Sequence, residues 1–271
     1  MLETEAFVNA IHNHKTFLIY DTETSGLDKL LDEIIEWSAI VFGYKDGKYQ
    51  QIDQMEVFIK PSFIISQESI NVHGHTNEFL SQFPYEKEVF PKIKAFLEKY
   101  SDAVLMGYNQ KNYDDAMMLS MCNRVGDKLP EFDQEIDVFN MVKENIFEKK
   151  RNLRAMHEKL CPGIEVKYHD SSGDIRATWN VAVALYKIGR SKMMIPKRKV
   201  AVINHRYWEA GAGKAYLFVT IKDKEAYKEI FYDHYYKVWK GKNGLDISDI
   251  DTADVEAQLQ AKTGLLIHNI R

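Results

Sequence analysis

The chain has 271 residues, 45% hydrophobic and 28% charged, which suits one large domain or one medium domain with a small one, each with a core. A formal net charge of −4, with a pI of about 6.2, excludes a surface coated in positive charge for indiscriminate duplex binding; acidic metal ligands can still offset basic contacts in such a count. Cys122 and Cys161 alone form neither a disulfide framework nor a zinc spacing, no apolar run approaches membrane-spanning length, and the acids at Glu3 and Glu5 replace the basic start of a signal peptide, so a soluble, cytoplasmic protein without a membrane partner is expected.

Residues up to about 13 pattern as a short amphipathic helix. The apolar run Phe17-Leu18-Ile19-Tyr20 reads as a buried strand over 17–21. Second and third strands are predicted over 34–42 and 55–59, separated by a turn at Asp46-Gly47. A loop over 60–75 precedes a helix over 86–100. A further buried strand is predicted over 103–108, then helices over 113–124, 137–147, 153–160 and 174–188. Strands followed by strands alternating with helices indicate an α/β layer structure. Near residue 189 the character changes. Residues 189–199 carry Arg190, Lys192, Lys197, Arg198 and Lys199 with no acid. Beyond them, 200–208, 214–221 and 230–239 have strand composition, and a helix over 252–262 has Asp251 as its N-cap.

Asp21-Thr22-Glu23-Thr24 follows the first apolar run directly. Alternation along a strand points Asp21 and Glu23 to the same side, where two carboxylates repel and serve no packing purpose. A cation between them would resolve this, and hard oxygen donors favour Mg²⁺ or Mn²⁺. The plain alternative is a pair of solvated acids after a strand. Three further places could complete such a site. Asn109 ends a strand, with Asp114 or Asp115 opening the next helix, although an Asp in a first helical turn also complements the macrodipole without any metal. His169 precedes Asp174 by five residues, and Asp174, Ala177 and Thr178 share a helix face. His73-Gly74-His75-Thr76 by itself is a polar turn.

In order and spacing these segments resemble the DEDDh 3′–5′ exonucleases, a branch of the ribonuclease H-like superfamily that includes polymerase proofreading subunits. Residues 17–28 look like that family's first motif, a strand followed by Asp-x-Glu-Thr-x-Gly-Leu, and Asp32-Glu33-Ile34-Ile35-Glu36 is similar to its next strand. Residues 70–78 resemble its His-Gly-x-Thr loop. Residues 107–114 match the second motif, in which an aromatic precedes the metal-binding Asp, making Tyr113-Asp114 the pair and Asp115 a bystander. Ile136-Asp137-Val138 resembles the segment that follows. Residues 169–178 look like the third motif, His-x4-Asp followed by Ala-Thr. The resemblance spans about 16–188. Tyr108 stands where many relatives carry His, His75 where an apolar residue is usual, and Ser25 where Thr is frequent; none is a metal ligand, so these departures bear on substrate rather than on activity.

The resemblance implies a ribonuclease H-like mixed sheet flanked by helices over 1–188. Residues 189–271 are then a small α+β accessory domain of unassigned role, with a basic linker, three strands and one helix. It also implies that Asp21, Glu23, Asp114 and Asp174 hold two Mg²⁺ (or Mn²⁺), that His169 is the general base, and that nucleoside 5′-monophosphates leave from a 3′ end. Without metal the clustered carboxylates should repel, raising their pKa values. Thr24, Leu27, His73 and Thr76 are the substrate contacts so implied, with Asn109 bracing the second motif. Single-stranded nucleic acid 3′ ends are the expected partner. The basic stretch and the tail aromatics, Tyr207, Trp208, Tyr216, Phe218, Phe231, Tyr232, Tyr235, Tyr236 and Trp239, leave strand binding, self-association or a polymerase partner open. Nothing in the sequence distinguishes DNA from RNA, so RNA trimming by the same centre is an alternative. A catalytically silent binding or docking module is the other, and it would be expected to have lost at least one ligand.

Overall fold

The structure, a computed structural model, describes residues 2–264 except 147, 169, 195–198, 211–213, 224–225, 234–237, 246 and 248–249. It divides into two compact units, Met1–Lys187 and Ile188–Arg271. No described helix is long and apolar enough to cross a membrane.

The first unit is built on a sheet of five described strands: β1 (Phe17–Thr24), β2 (Ile34–Lys45), β3 (Lys48–Phe58), β4 (Val104–Gly107) and β5 (Glu135–Asp137), in the order β3-β2-β1-β4-β5. β2 runs antiparallel to β1 and to β3, whereas β4 is parallel to β1 and to β5. This is the expected α/β mixed sheet flanked by helices. β1 lies at its centre because it is apolar on both faces, and Phe17, Leu18 and Ile19 are fully buried. Leu18 and Tyr20 face helices α4 (Glu86–Lys99) and α5 (Asp114–Val125), packing with Trp37, Phe90, Ile93, Met117 and Met121. Phe17 faces the other way, against Phe7 of α1 (Glu3–His12) and Trp179 of α8 (Ser171–Met194), while Phe42 stacks on Trp179 with ring centroids 4.4 Å apart. Alternation along β1 therefore carries Asp21 and Glu23 to the α8 side.

Several elements depart from the sequence expectation. β3 begins at Lys48 rather than 55, because residues 48–54 form a largely polar and solvated part of an edge strand in which only Tyr49 and Ile52 are apolar. The expected loop over 60–75 contains α2 (Gln67–His73), capped by Ser66 and ended by Gly74 at φ 82°, followed by the single turn α3 (Asn77–Leu80). Helices α6 (Val138–Asn145) and α7 (Leu153–Leu160) lie between β5 and α8 in the chain. α8 starts three residues before the expected helix and continues to Met194, so part of the expected basic linker is helical; residues 195–198 lie outside the described residues.

The second unit has four described strands, not three: β6 (Ala201–Ala210), β7 (Lys214–Asp223), β8 (Ala226–Asp233) and β9 (Val238–Gly241), an antiparallel sheet in chain order. The span 230–239 is rich in aromatic and β-branched residues, with no Gly or Pro to mark the reversal between β8 and β9. Helix α9 (Thr252–Thr263), N-capped by Asp251, covers one face through Val255 and Leu259 against Leu217, Val219, Ile221 and Ile230.

Gly173, in the first turn of α8, is a position where only glycine fits. A Cβ there would lie 1.8 Å from the carbonyl oxygen of Lys167. Gly173→Ala should lower stability by about 1–3 kcal/mol through overpacking, measured by denaturant unfolding. An unchanged midpoint would mean that the backbone ahead of α8 yields freely.

Candidate active site

The acidic side chains reach the site by three structural routes. Asp21 and Glu23 project from the last turn of the pleat in β1, and Asp174 comes from the first turn of α8, packed on that face of the sheet. Ligand oxygens of Asp21, Glu23 and Asp174 lie within 4.8 Å of one another, the one such group among the described residues. Asp114 opens α5 on the opposite layer and turns back over the strand end. Its Oδ1 accepts from the Thr22 hydroxyl at 2.6 Å and from the Thr22 N–H at 3.2 Å. Asp115 points elsewhere and accepts from the Tyr20 hydroxyl. The two neighbouring acids are thus separated by one residue of helix rotation, as the strand's alternation separates Tyr20 from Asp21.

Burial and mutual repulsion govern the electrostatics. Burial, then Asp114, Asp174, Glu23 and Glu36, raise the Asp21 carboxyl well above its usual range. Glu23 is pushed up to about 8 by burial and then by Glu36, Asp174 and Asp114. Asp114 rises to about 7 through burial, against the lowering effect of its Thr22 hydrogen bond. Such a group of acids, with oxygen donors only, fits a hard divalent cation that would restore the ionised forms.

Glu36 is the residue that sequence reasoning quoted in a motif but gave no task. It is 2% exposed and sits directly across from Glu23 in the β1–β2 register. His75 Nε2 lies 2.6 Å from its Oε2, and the buried Ser171 hydroxyl, three residues before Asp174, donates to its Oε1. A glutamate inside a ten-residue buried run was the available signal, since buried charges need partners.

The expected substrate contacts differ in what they do. The Thr24 hydroxyl lies 2.8 Å from Gly26 O and 2.7 Å from the Tyr113 hydroxyl, which fixes the turn after the acids. Leu27, beyond that turn, is 86% exposed. His73 is buried; its Nδ1 accepts from His75 N–H at 3.0 Å, its Nε2 has no partner, and burial followed by His75 lowers its pKa to about 4. The Thr76 hydroxyl is engaged as the N-cap of α3, accepting from Phe79 N–H. Asn109 adopts a left-handed conformation (φ 63°), its N–H donating to Asp137 and its side-chain oxygen accepting from Asn112. His169 lies outside the described residues.

A family model described as "Exonuclease" (RNase_T) matches residues 18–182, a span that holds every acid above. The chain belongs to the exonuclease family. Within it, this is a DEDDh-type member with the ribonuclease H-like fold, a 3′–5′ exonuclease by class. It is 40% identical over 93 residues to the PolC-type DNA polymerase III of Pediococcus pentosaceus, covering 34% of this chain and 6% of that protein. It is 31% identical over 185 residues to the PolC-type DNA polymerase III of Thermotoga petrophila, covering 66% of this chain and 13% of that one. The chain thus spans well under a fifth of these polymerases' length. Among solved structures, exonuclease I shares the fold, with a TM-score of 0.56 at 17% identity over 81% of this chain and 55% of that one. Exonuclease I of E. coli in complex with a dT13 oligonucleotide gives 0.54 at 17% identity, again over 81% and 55%.

The raised carboxyl pKa values carry a pH signature. In the unfolded chain Glu23 ionises near 4.5, whereas the folded protein holds its proton to about 8. Metal-free stability should therefore fall as pH rises from about 4.5 to about 8, because only the unfolded state gains by ionising. Melting temperature in EDTA is expected to decline over that window, less steeply in Glu23→Gln and in saturating Mn²⁺. Identical slopes in all three conditions would contradict the coupling.

Proposed function

We propose that this chain removes nucleoside 5′-monophosphates from the 3′ end of single-stranded DNA, using two divalent cations. The observation that carries this is the convergence of Asp21, Glu23 and Asp174 from β1 and α8, with Asp114 electrostatically linked to them, inside a chain of the exonuclease family. DNA is the chosen substrate because the curated relatives named above are DNA polymerases.

Asp21, Glu23, Asp114 and Asp174 are the residues that would hold the cations. When bound, a pair of Mg²⁺ or Mn²⁺ would offset the phosphate charge and ease deprotonation of the attacking water. The remaining tasks belong to the chain. Thr22 holds Asp114 at the strand end, and Glu36, through Ser171, anchors the turn that presents Asp174. His169 is the general base, a role for which an imidazole pKa near 6.5 suits neutral pH. Leu27 offers an apolar surface to the terminal base from a loop pinned by Asp28 and Asp32, where Asp28 N–H donates to Asp32 at 2.8 Å and Leu30 N–H to Asp28 at 2.9 Å. His73, whose pKa burial lowers to about 4, is neutral at physiological pH, and its buried Nε2 has no partner. Thr24 and Asn109 shape the two turns that flank the acids, and Thr76 caps α3, three residues after His73. A silent binding module is disfavoured, because Asp21, Glu23, Asp114, Asp174 and His169 are all present.

A 5′-labelled oligonucleotide, as DNA and as RNA, incubated with Mg²⁺, Mn²⁺ or EDTA tests this directly. Progressive shortening of DNA from the 3′ end that stops in EDTA is expected. Internal cuts, activity indifferent to chelation, or a preference for RNA would overturn the assignment as stated.

Variants separate the roles. Asp114→Ala should abolish turnover while Asp115→Ala retains most of it; the reverse would place the wrong acid in the site. His169→Ala should slow turnover by about 10²–10⁴-fold, the usual range for a general base. A near-normal rate would remove it from the mechanism.

A further inference from the structure

The two halves of the chain carry opposite charge. Residues 1–187 hold 21 Lys and Arg against 30 Asp and Glu, a net of −9, while 188–271 hold 15 against 10, a net of +5. A polyanionic substrate approaching an acidic catalytic unit needs attraction from elsewhere, and the second unit has the matching sign.

The C-terminal sheet also has two unlike faces. One is sealed by α9, with Leu217, Val219, Ile221, Ile230 and Tyr232 at most 3% exposed. On the other, cross-strand partners place aromatic rings side by side: Trp208 opposite Tyr216, Arg206 opposite Phe218, and Phe218 opposite Phe231. The rings form a continuous row, with centroids 5.6 Å apart for Trp208–Tyr216, 5.9 Å for Tyr216–Phe231 and 5.3 Å for Phe218–Phe231. Trp208 is 50% exposed. The Arg206 guanidinium lies 4.3 Å from the Phe218 centroid and Lys242 Nζ lies 5.9 Å from it. Both cations share a single carboxylate, Glu229, with Arg206 2.9 Å away, so positive charge is left over; Lys240 lies 2.8 Å from Asp233.

We propose that this open face of the C-terminal sheet is a second binding platform for single-stranded DNA. Bases would stack on the Trp208–Tyr216–Phe231–Phe218 row, and phosphates would pair with Arg206 and Lys242. Rings interleaved with long cations suit a strand that offers a π-face and a phosphate at every step. The platform deepens the nuclease reading above, giving the acidic unit a means of retaining the strand it shortens.

The test uses the full chain in EDTA, with binding of fluorescent dT20 followed by anisotropy across a salt series. Trp208→Ala should weaken binding by about 5- to 150-fold, the range for losing one stacked base, and Trp208→Phe should recover most of it. Arg206→Ala should weaken binding and lower the log–log salt slope by about 0.7. Glu229→Gln, which releases both cations, should tighten binding and steepen the slope, an effect no folding defect imitates. Unchanged dT20 affinity in Trp208→Ala and Arg206→Ala would overturn the platform. So would loss of a concentration-dependent self-association in sedimentation without a change in DNA affinity, because the face would then be a subunit contact. Hydrolysis of the p-nitrophenyl ester of thymidine 5′-monophosphate by the wild-type protein in Mn²⁺ tests the acidic site alone, so failure of either proposal is distinguishable from failure of the other.

Discussion

Mutual repulsion among carboxylates held in one place is the constraint on which the molecule turns. Asp21, Glu23 and Asp174 are brought together by the central strand β1 and helix α8, with Asp114 and Glu36 adding further negative potential. A fold does not gather like charges for stability; burial of unpaired charge opposes folding. The surrounding apolar contacts, such as Phe17 and Phe42 on Trp179, must supply the stability that holds the acids in place. The cluster is intelligible as a site whose charge is completed by cations, and much of its rigidity lies in residues that would never touch them. Glu36 is the clearest such residue, since it ties β2, the His75 loop and the start of α8 together at one point.

Much of this was legible in the sequence because the governing signals were local. The four-residue apolar run before Asp21 marked a central strand, and period two along it put Asp21 and Glu23 on one side. The order of motifs gave the family, which the match over residues 18–182 bears out. What escaped was set by tertiary context. The front of β3 is a solvated edge, α2 is short and polar, and the aromatic-rich stretch that spans β8 and β9 holds neither Gly nor Pro. The partners of Glu36 were invisible for the same reason. A buried glutamate could be suspected from its apolar neighbours, but not that His75 and Ser171 would converge on it from 39 and 135 residues away.

The two units carry opposed charges that the net −4 conceals. The acidic unit attracts cations and, by itself, repels polyanions. The basic unit presents an aromatic sheet face that, on the proposed reading, would act in the opposite sense, through stacking and phosphate pairing that need no base sequence. Chemistry and retention would then rest on separate surfaces, each free of the electrostatic compromise that one shared site would impose.

Anomalous diffraction from crystals of the protein equilibrated with Mn²⁺ addresses the central claim most directly. Strong peaks between the carboxylates of Asp21, Glu23 and Asp174, with Asp114 reoriented or bridged toward them, are the predicted result. Peaks confined to other surfaces, with these acids left unligated at saturating Mn²⁺, would contradict it.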